Sequence, residues 1–258
     1  MHLERVESAL RATHALLEEA GIWHCVTYGT LLGAVRDGAL IPWDHDFDFF
    51  IRAGDLSRVL ALDGSRDGLR FLRTTKSSAE LALGGGRVGT FDAMRIAVFD
   101  GETHLGDLFA PTLFDDGVLR IYDLATEVNW TPHSSFPHFF VETLSTVRIG
   151  SDEYPGVGHA EQFLAGVYGD DWQTPYRSVM DGGELRTGST THGDTYEPKL
   201  ADEIAWCEAR GWDRSRYAGL PAWPREVAGA GPIGPTERTS SSSGALWYRD
   251  RAELLAHY

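Results

Sequence analysis

Tyr28-Gly29-Thr30-Leu31-Leu32-Gly33-Ala34-Val35-Arg36-Asp37-Gly38, followed two residues later by Ile41-Pro42-Trp43-Asp44-His45-Asp46-Phe47-Asp48-Phe49-Phe50-Ile51, decides the fold. The first half reads as a glycine-threonine turn, a short helix over Leu31–Asp37 and a glycine stop. The second half has a period of two and then runs apolar, which predicts a strand entering a core. Side chains two apart on a strand share a face at roughly 6–7 Å, so Asp44, Asp46 and Asp48 project the same way. Three carboxylates held together in a partly buried place repel one another unless a cation intervenes. All-oxygen ligation points to Mg2+ or Mn2+ rather than zinc. An EF-hand calcium loop starting at Asp44 is excluded: its sixth position is Phe49 instead of glycine, and its twelfth is Asp55 instead of glutamate. An idle acidic edge strand is disfavoured by the bulky apolar residues between the acids.

Gly29 and Thr30 stand where the unpaired N–H groups and the positive dipole end of the short helix meet, an arrangement that binds phosphate. Glycine lets backbone approach a ligand closely, and Thr30 offers a hydroxyl. Arg36 lies on the same helix, available to a phosphate or to Asp44 or Asp46. Taken alone, a glycine-threonine turn is a helix cap. Its meaning comes from standing fourteen residues before the acid strand, so that one strand-helix-strand unit presents phosphate cradle and metal ligands together.

Working outward, residues 2–20 carry Leu3, Val6, Leu10, Leu16 and Leu17 at helical steps, ended by Gly21. Ile22–Tyr28 reads as a strand, Asp55–Leu62 as a helix and Leu69–Thr74 as a strand, with Gly84-Gly85-Gly86 a loop. Ala93–Phe99 and His104–Phe109 predict a hairpin across Asp100-Gly101. Val118–Leu124 and Thr146–Ile149 look extended; His159–Tyr168 and Asp202–Arg210 look helical. Pro221–Gly234 has loop composition, Ser240–Ser243 reads as a polar tether, and Ala245–His257 as a last helix. The whole predicts an α/β (α+β) chain: a sheet-and-helix domain over 1–177 and a largely helical, loop-rich extension over 178–258 with a Ser-rich tether near 234–244.

The 258 residues are 42% hydrophobic and carry a formal charge of −15, so a substantial core is expected and binding to a nucleic acid duplex is not. Lysine occurs only at positions 76 and 199, which leaves arginine, the residue suited to two-pronged anion recognition, as the main cation. Two cysteines, Cys25 and Cys207, make no disulfide framework. No signal peptide or apolar run long enough to span a bilayer is readable, and a cytoplasmic location is expected. Oligomeric state is not legible.

The stretch from Tyr28 to Asp48 closely resembles the signature of the LicD family, which includes the fukutin-related proteins and belongs to the nucleotidyltransferase-fold superfamily. His104-Leu105-Gly106-Asp107-Leu108-Phe109 resembles the strand that carries a further acid there. Tyr168-Gly169-Asp170-Asp171-Trp172-Gln173-Thr174-Pro175 resembles the family's closing motif. His45 departs from the family's usual aspartate. The resemblance implies a nucleotidyltransferase-like mixed sheet flanked by helices, and transfer of an alcohol phosphate, such as phosphocholine or ribitol phosphate, from a CDP-activated donor to a hydroxyl acceptor. It implies that Asp46, Asp48 and Asp107 hold the metal and that Asp44 is a further ligand or a base, with the roles of Asp44 and Asp107 exchangeable. Gly29, Thr30 and Arg36 would grip the donor phosphates. Alternative readings are a nucleotidylyltransferase that uses a nucleoside triphosphate, a metal-dependent glycosyltransferase, and a noncatalytic nucleotide binder. His104, His133, His138 and His192 are lesser base candidates and Lys199 a lesser anion contact. Trp130, Trp172, Trp206, Trp212 and Trp223 read as core residues, any of which would suit stacking on a base or enclosing a quaternary ammonium.

Overall fold

The computed structural model describes residues 2–42, 44–66, 68–75, 95–113, 116–121, 135–174 and 196–218, with strand pieces at 179–181, 184–186, 239–240 and 246–247. Helix α1 (His2–Glu19) buries Val6, Ala9, Leu10, Thr13, Leu16 and Leu17, the three- and four-residue steps that place one face on the sheet. Strand β1 (His24–Val26) leads into α2 (Tyr28–Asp37), which ends at Gly38 in the left-handed conformation, with the Gly38 N–H returned to the Ala34 carbonyl. Strand β2 (Phe47–Ile51) and helix α3 (Leu56–Leu60) follow, then β3 (Leu69–Thr75), β4 (Arg95–Asp100) and β5 (Thr103–Phe109).

A three-stranded antiparallel sheet comprises β6 (Thr112–Leu113), β7 (Val118–Arg120) and β8 (Ser135–Pro137). Next come α4 (Phe139–Glu142), β9 (Ser145–Ile149), β10 (Asp152–Gly156) and α5 (Ala160–Tyr168). The small hairpin β11 (Val179–Asp181) and β12 (Glu184–Arg186) precedes α6 (Tyr196–Glu208); β13 (Thr239–Ser240) and β14 (Leu246–Trp247) are last.

The main sheet is mixed, in the order β3-β4-β5-β2-β1-β10-β9, and β14 with β13 extends it beyond β3. Strand β2 lies at its centre, antiparallel to β1 and parallel to β5, with both faces covered. That is why its sequence is apolar throughout except for Asp48. His24 and Val26 of β1 stand opposite Ile51 and Phe49 and share their face, on which α1 packs. Asp48 and Phe50 point to the other face, where Phe50 meets Tyr28 of α2, Phe136 and Phe163 of α5.

Several sequence expectations are corrected. The strand expected over Ile22–Tyr28 is reduced to three residues, because the chain turns at Thr27 and α2 begins at Tyr28 rather than Leu31. Helix α6 begins at Tyr196, ahead of the expected Asp202, and Leu246–Trp247 is a strand paired with Thr74 and Thr75 where a helix was expected. The open edge of β3 supplies hydrogen-bond partners that helical spacing in the sequence does not register. Gly84–Gly86, Pro221–Gly234, 241–243 and 248–257 lie outside the described residues. Within 196–218, Cys207, Trp212 and Tyr217 join the same buried cluster as the sheet. No helix among the described residues is long and apolar enough to cross a membrane.

Candidate active site

The turn from β1 to α2 shapes one wall. Thr27 is extended and Tyr28 takes φ +44, a left-handed conformation that costs a bulky residue about 1–3 kcal/mol. Ring packing holds it there: the Tyr28 ring sits edge-on to Phe50 and to Phe109, each at 5.3 Å. The turn brings the first residues of α2 against the acid stretch. A Cβ at Gly29 would sit 2.5 Å from Asp44 Oδ2, so any larger residue would displace that carboxylate, whereas Asp48 Oδ2, at 3.8 Å, would be in ordinary contact.

Thr30 has a different place from the phosphate-facing one expected. It is buried in the first turn of α2, and the Asp48 N–H donates to its Oγ1 at 2.8 Å, stitching helix to strand. Nor is Thr30 the cap: Thr27 is, without a side-chain bond. Arg36 stands about 10 Å further along the helix axis. Its Nε and Nη2 donate to Asp37 Oδ2 at 2.9 and 2.7 Å.

The second wall is the sheet. Parallel pairing of β2 with β5 sets Asp48 beside Asp107, and Asp46, two residues earlier, shares their face. Ligating atoms of Asp46, Asp107 and His104 lie within 4.8 Å of one another. His104 Nε2 is 3.1 Å from Asp107 Oδ1, and Arg95 Nη1 of β4 is 3.4 Å from Asp107 Oδ2. In a regular strand residues 104 and 107 face opposite ways. Here Val98 pairs with Gly106 but Phe99 with His104, so Leu105 is an extra residue, a bulge that turns His104 onto the face of Asp107. Asp44 caps the cluster, its Oδ1 accepting the His45 N–H at 2.9 Å. His45 is exposed, its ring edge-on to His2 at 5.6 Å.

Crowding governs the charges. Burial, then the Asp107 and Asp44 charges, push the Asp46 carboxyl up to about 7, against relief from His104. Asp48 is raised well above the carboxylate range by burial and then by Asp46, Asp107 and Asp44, with Arg95 opposing. Asp44 is raised by burial despite the His45 N–H. Burial and then Asp48, Asp44 and Asp46 raise the phenol of Tyr168, which α5 brings to the cluster. For His104, burial disfavours the charged ring, but the hydrogen bond and charge of Asp107 outweigh it and the net shift is upward.

A cluster that resists ionising without a counter-charge, built from carboxylates and one imidazole, fits a divalent cation of the Mg2+ or Mn2+ kind. The linkage has a definite sign. Asp46 is protonated more readily in the folded state than in the unfolded one, so it contributes stability present below about pH 4 and lost as pH rises to about 7. The buried histidines His14, His24 and His138, whose rings are lowered, act in the opposite direction over this range, so the effect is read as a difference. In EDTA the melting temperature of the parent is expected to fall relative to that of Asp46→Asn between pH 4 and pH 7, and a difference between the two that stays constant over this range would contradict the electrostatic account.

Sequence reasoning thus named Asp44, Asp46, Asp48, Asp107 and Gly29, which the structure gathers, and Arg36, which it pairs elsewhere. Arg95 and Tyr168 were missed, and His104 was given only a minor place. The closing motif was the available signal for Tyr168, since it ends α5 at Gly169 beside the acids. His138 instead lies 2.8 Å from the Tyr217 hydroxyl, and burial, aided by Arg216, lowers its ring to about 4. Trp172, Trp206 and Trp212 pack in or against the core, while His133, His192, Trp130 and Trp223 lie outside the described residues. Lys199 falls in the first turn of α6.

A mixed sheet whose central parallel pair sets aspartates side by side, under the N-terminus of a short helix, is the nucleotidyltransferase-like arrangement that the sequence resemblance implies. Residues 21–155 match the LicD/FKTN/FKRP nucleotidyltransferase domain, and the chain belongs to that family. Among curated proteins it is similar to ribitol 5-phosphate transferase FKRP of Mus musculus and of Homo sapiens. Each is 36% identical over 66 residues, 26% of this chain and 13% of the relative. The similarity therefore spans a small part of those proteins' length.

Proposed function

We propose that this domain transfers an alcohol phosphate, of the phosphocholine or polyol-phosphate type, from a CDP-activated donor to a hydroxyl acceptor. The observation that carries the reading is the placement of Asp48 beside Asp107 on parallel strands, with Asp46 on the same face and Gly29 opening the helix N-terminus to them. The name of the two relatives supports a phosphorylated alcohol as the group moved.

In this reading Asp46, Asp48 and Asp107 hold Mg2+ or Mn2+, which when bound neutralises charge on the donor's diphosphate. Gly29 lets the α2 N-terminus approach a donor phosphate, with N–H groups and helix dipole favouring the anion. Arg95 limits repulsion around Asp107. The acceptor oxygen forms the new bond to the alcohol-bearing phosphorus as the bond to CMP breaks. Asp44, at the rim and held by the His45 N–H, takes the acceptor proton. The rest is positioning and charge compensation, as in phosphoryl transfer generally.

The test pairs two assays with Mg2+ present. CDP-choline and CDP-ribitol are each offered and CMP release is followed; labelled CTP is offered and pyrophosphate release is followed. The expected result is CMP from a CDP-alcohol without pyrophosphate from CTP. Pyrophosphate release alone would replace the proposal with nucleotide transfer. Calorimetric binding of a CDP-alcohol without product would replace it with a noncatalytic binder.

A further inference from the structure

On the sheet face opposite the acids, His14 and Glu18 of α1 and His24 of β1 bring their ligating atoms within 4.8 Å of one another. His14 and Glu18 are four residues apart and so share a helix face, while His24 is buried beneath them. The His24 ring is held in one orientation: its Nδ1 lies 2.8 Å from the Ile22 carbonyl, and its ring meets Phe49 edge-on at 5.3 Å. A carbonyl only accepts, so Nδ1 carries the hydrogen and the neutral ring turns the lone pair of Nε2 toward His14 Nδ1 at 2.7 Å and Glu18 Oε1 at 3.9 Å. A backbone carbonyl fixing one ring nitrogen while the other faces outward is the outer support seen behind metal-bound histidines.

We propose that His14, Glu18 and His24 form a binding site for one divalent transition ion of the zinc class, separate from the acid cluster and clamping α1 to β1. Two imidazoles and a carboxylate suit zinc, with the fourth position left to water. Tetrahedral ligation at zinc distances separates ligand atoms by about 3.3 Å. His14 and His24 must open slightly and Glu18 must close slightly. Glu18 is free to do so, its side chain being 63% exposed. Both rings are held in the neutral form that binds metal: burial lowers His14, and burial lowers His24 more than its bond to Ile22 raises it. The ring of Tyr154, 5.0 Å from that of His14, closes one side.

The test is titration of the full chain with Co2+, read by visible absorption. Expected are ligand-field bands of tetrahedral type at one ion per chain, discharged by Zn2+ and retained in Asp46→Asn. Apparent affinity should fall at least 10-fold in His14→Gln and in Glu18→Gln, with the melting temperature of both metal-free variants close to that of the parent. Absence of such bands in the parent would overturn the site. So would their survival in both variants, or their loss in Asp46→Asn, which would put the ion among the acids. Glu18 is exposed, so its variant keeps the test decisive if His14→Gln folds poorly.

Discussion

Replacing Asp48 with asparagine is expected to abolish transfer and, in EDTA at pH 8, to raise the melting temperature. The two effects have one cause. The Asp48 carboxyl is crowded by Asp46, Asp107 and Asp44, and burial weighs on it before any of them, so its charge is an expense to the folded state unless a cation offsets it. Asparagine keeps the shape and removes the charge. The backbone N–H bond from Asp48 to Thr30 is untouched, so α2 and β2 stay joined. Loss of a charged group aimed at the reacting centre costs on the order of 10²–10³ in rate, and more where it also holds the metal. Asp46→Asn should behave in the same way. CMP release measures the first effect and thermal denaturation the second. Parent-like turnover in either variant would remove the acids from the chemistry, and a clear fall in melting temperature in EDTA would remove the repulsion argument.

The second large effect is structural. Gly106 lies beside Phe47 in the parallel register, and a Cβ there would stand 2.4–2.6 Å from three atoms of the Phe47 ring. That ring is fully buried and set edge-on to Phe49 at 5.7 Å, so it has nowhere to turn. Gly106→Val must therefore part β2 from β5 one residue away from Asp48 and Asp107. A cost of about 3 kcal/mol is expected, which lowers the melting temperature by about 6–12 °C. Activity should fall with it, because the two aspartates lose their spacing. Shrinking the ring in Phe47→Leu should recover part of the loss in the double variant, since the two positions share one space. Gly54→Ala, where a Cβ meets nothing within 4 Å, is the matched control and should be near neutral. Equal melting temperatures for Gly106→Val and the parent would refute the close-packing account.

What the sequence revealed and what it hid have physical reasons. The grouping of Asp44, Asp46 and Asp48 was legible, but not its cause: β2 begins only at Phe47, so of the three only Asp48 lies on the strand, and Asp44 and Asp46 come from the segment that leads into it. Helix α1 was legible because its buried face repeats at helical steps. Asp107 was reached through family resemblance, since nothing in its own neighbourhood says that β5 lies parallel to β2. His104 was undervalued because regular strand parity sets it opposite Asp107, and the Leu105 bulge exists only in the pairing with β4. Arg95 enters through that same pairing. Arg36 was overvalued: lying on the helix that approaches the acids does not mean lying at the end that does. Strand β10 has no counterpart in the sequence reading: it contains Pro155 and Gly156, residues unfavourable in a strand, yet it pairs along β9 and lies parallel to β1 with Gly156 opposite Val26. The start of α2 was misplaced because Tyr28 is left-handed, a conformation that tyrosine does not advertise.

The position of β1 between β2 and β10 has a consequence for biosynthesis. As the chain leaves the ribosome, β1 and the three neighbouring acids emerge early, while β10 and α5 are still untranslated. Until they arrive β1 is a bare margin, open on one side to pairing with other nascent chains, and Tyr28 lacks the Phe163 ring that finally encloses it. The main sheet and the aromatic enclosure of Tyr28 are thus completed only when β10 and α5 have been made.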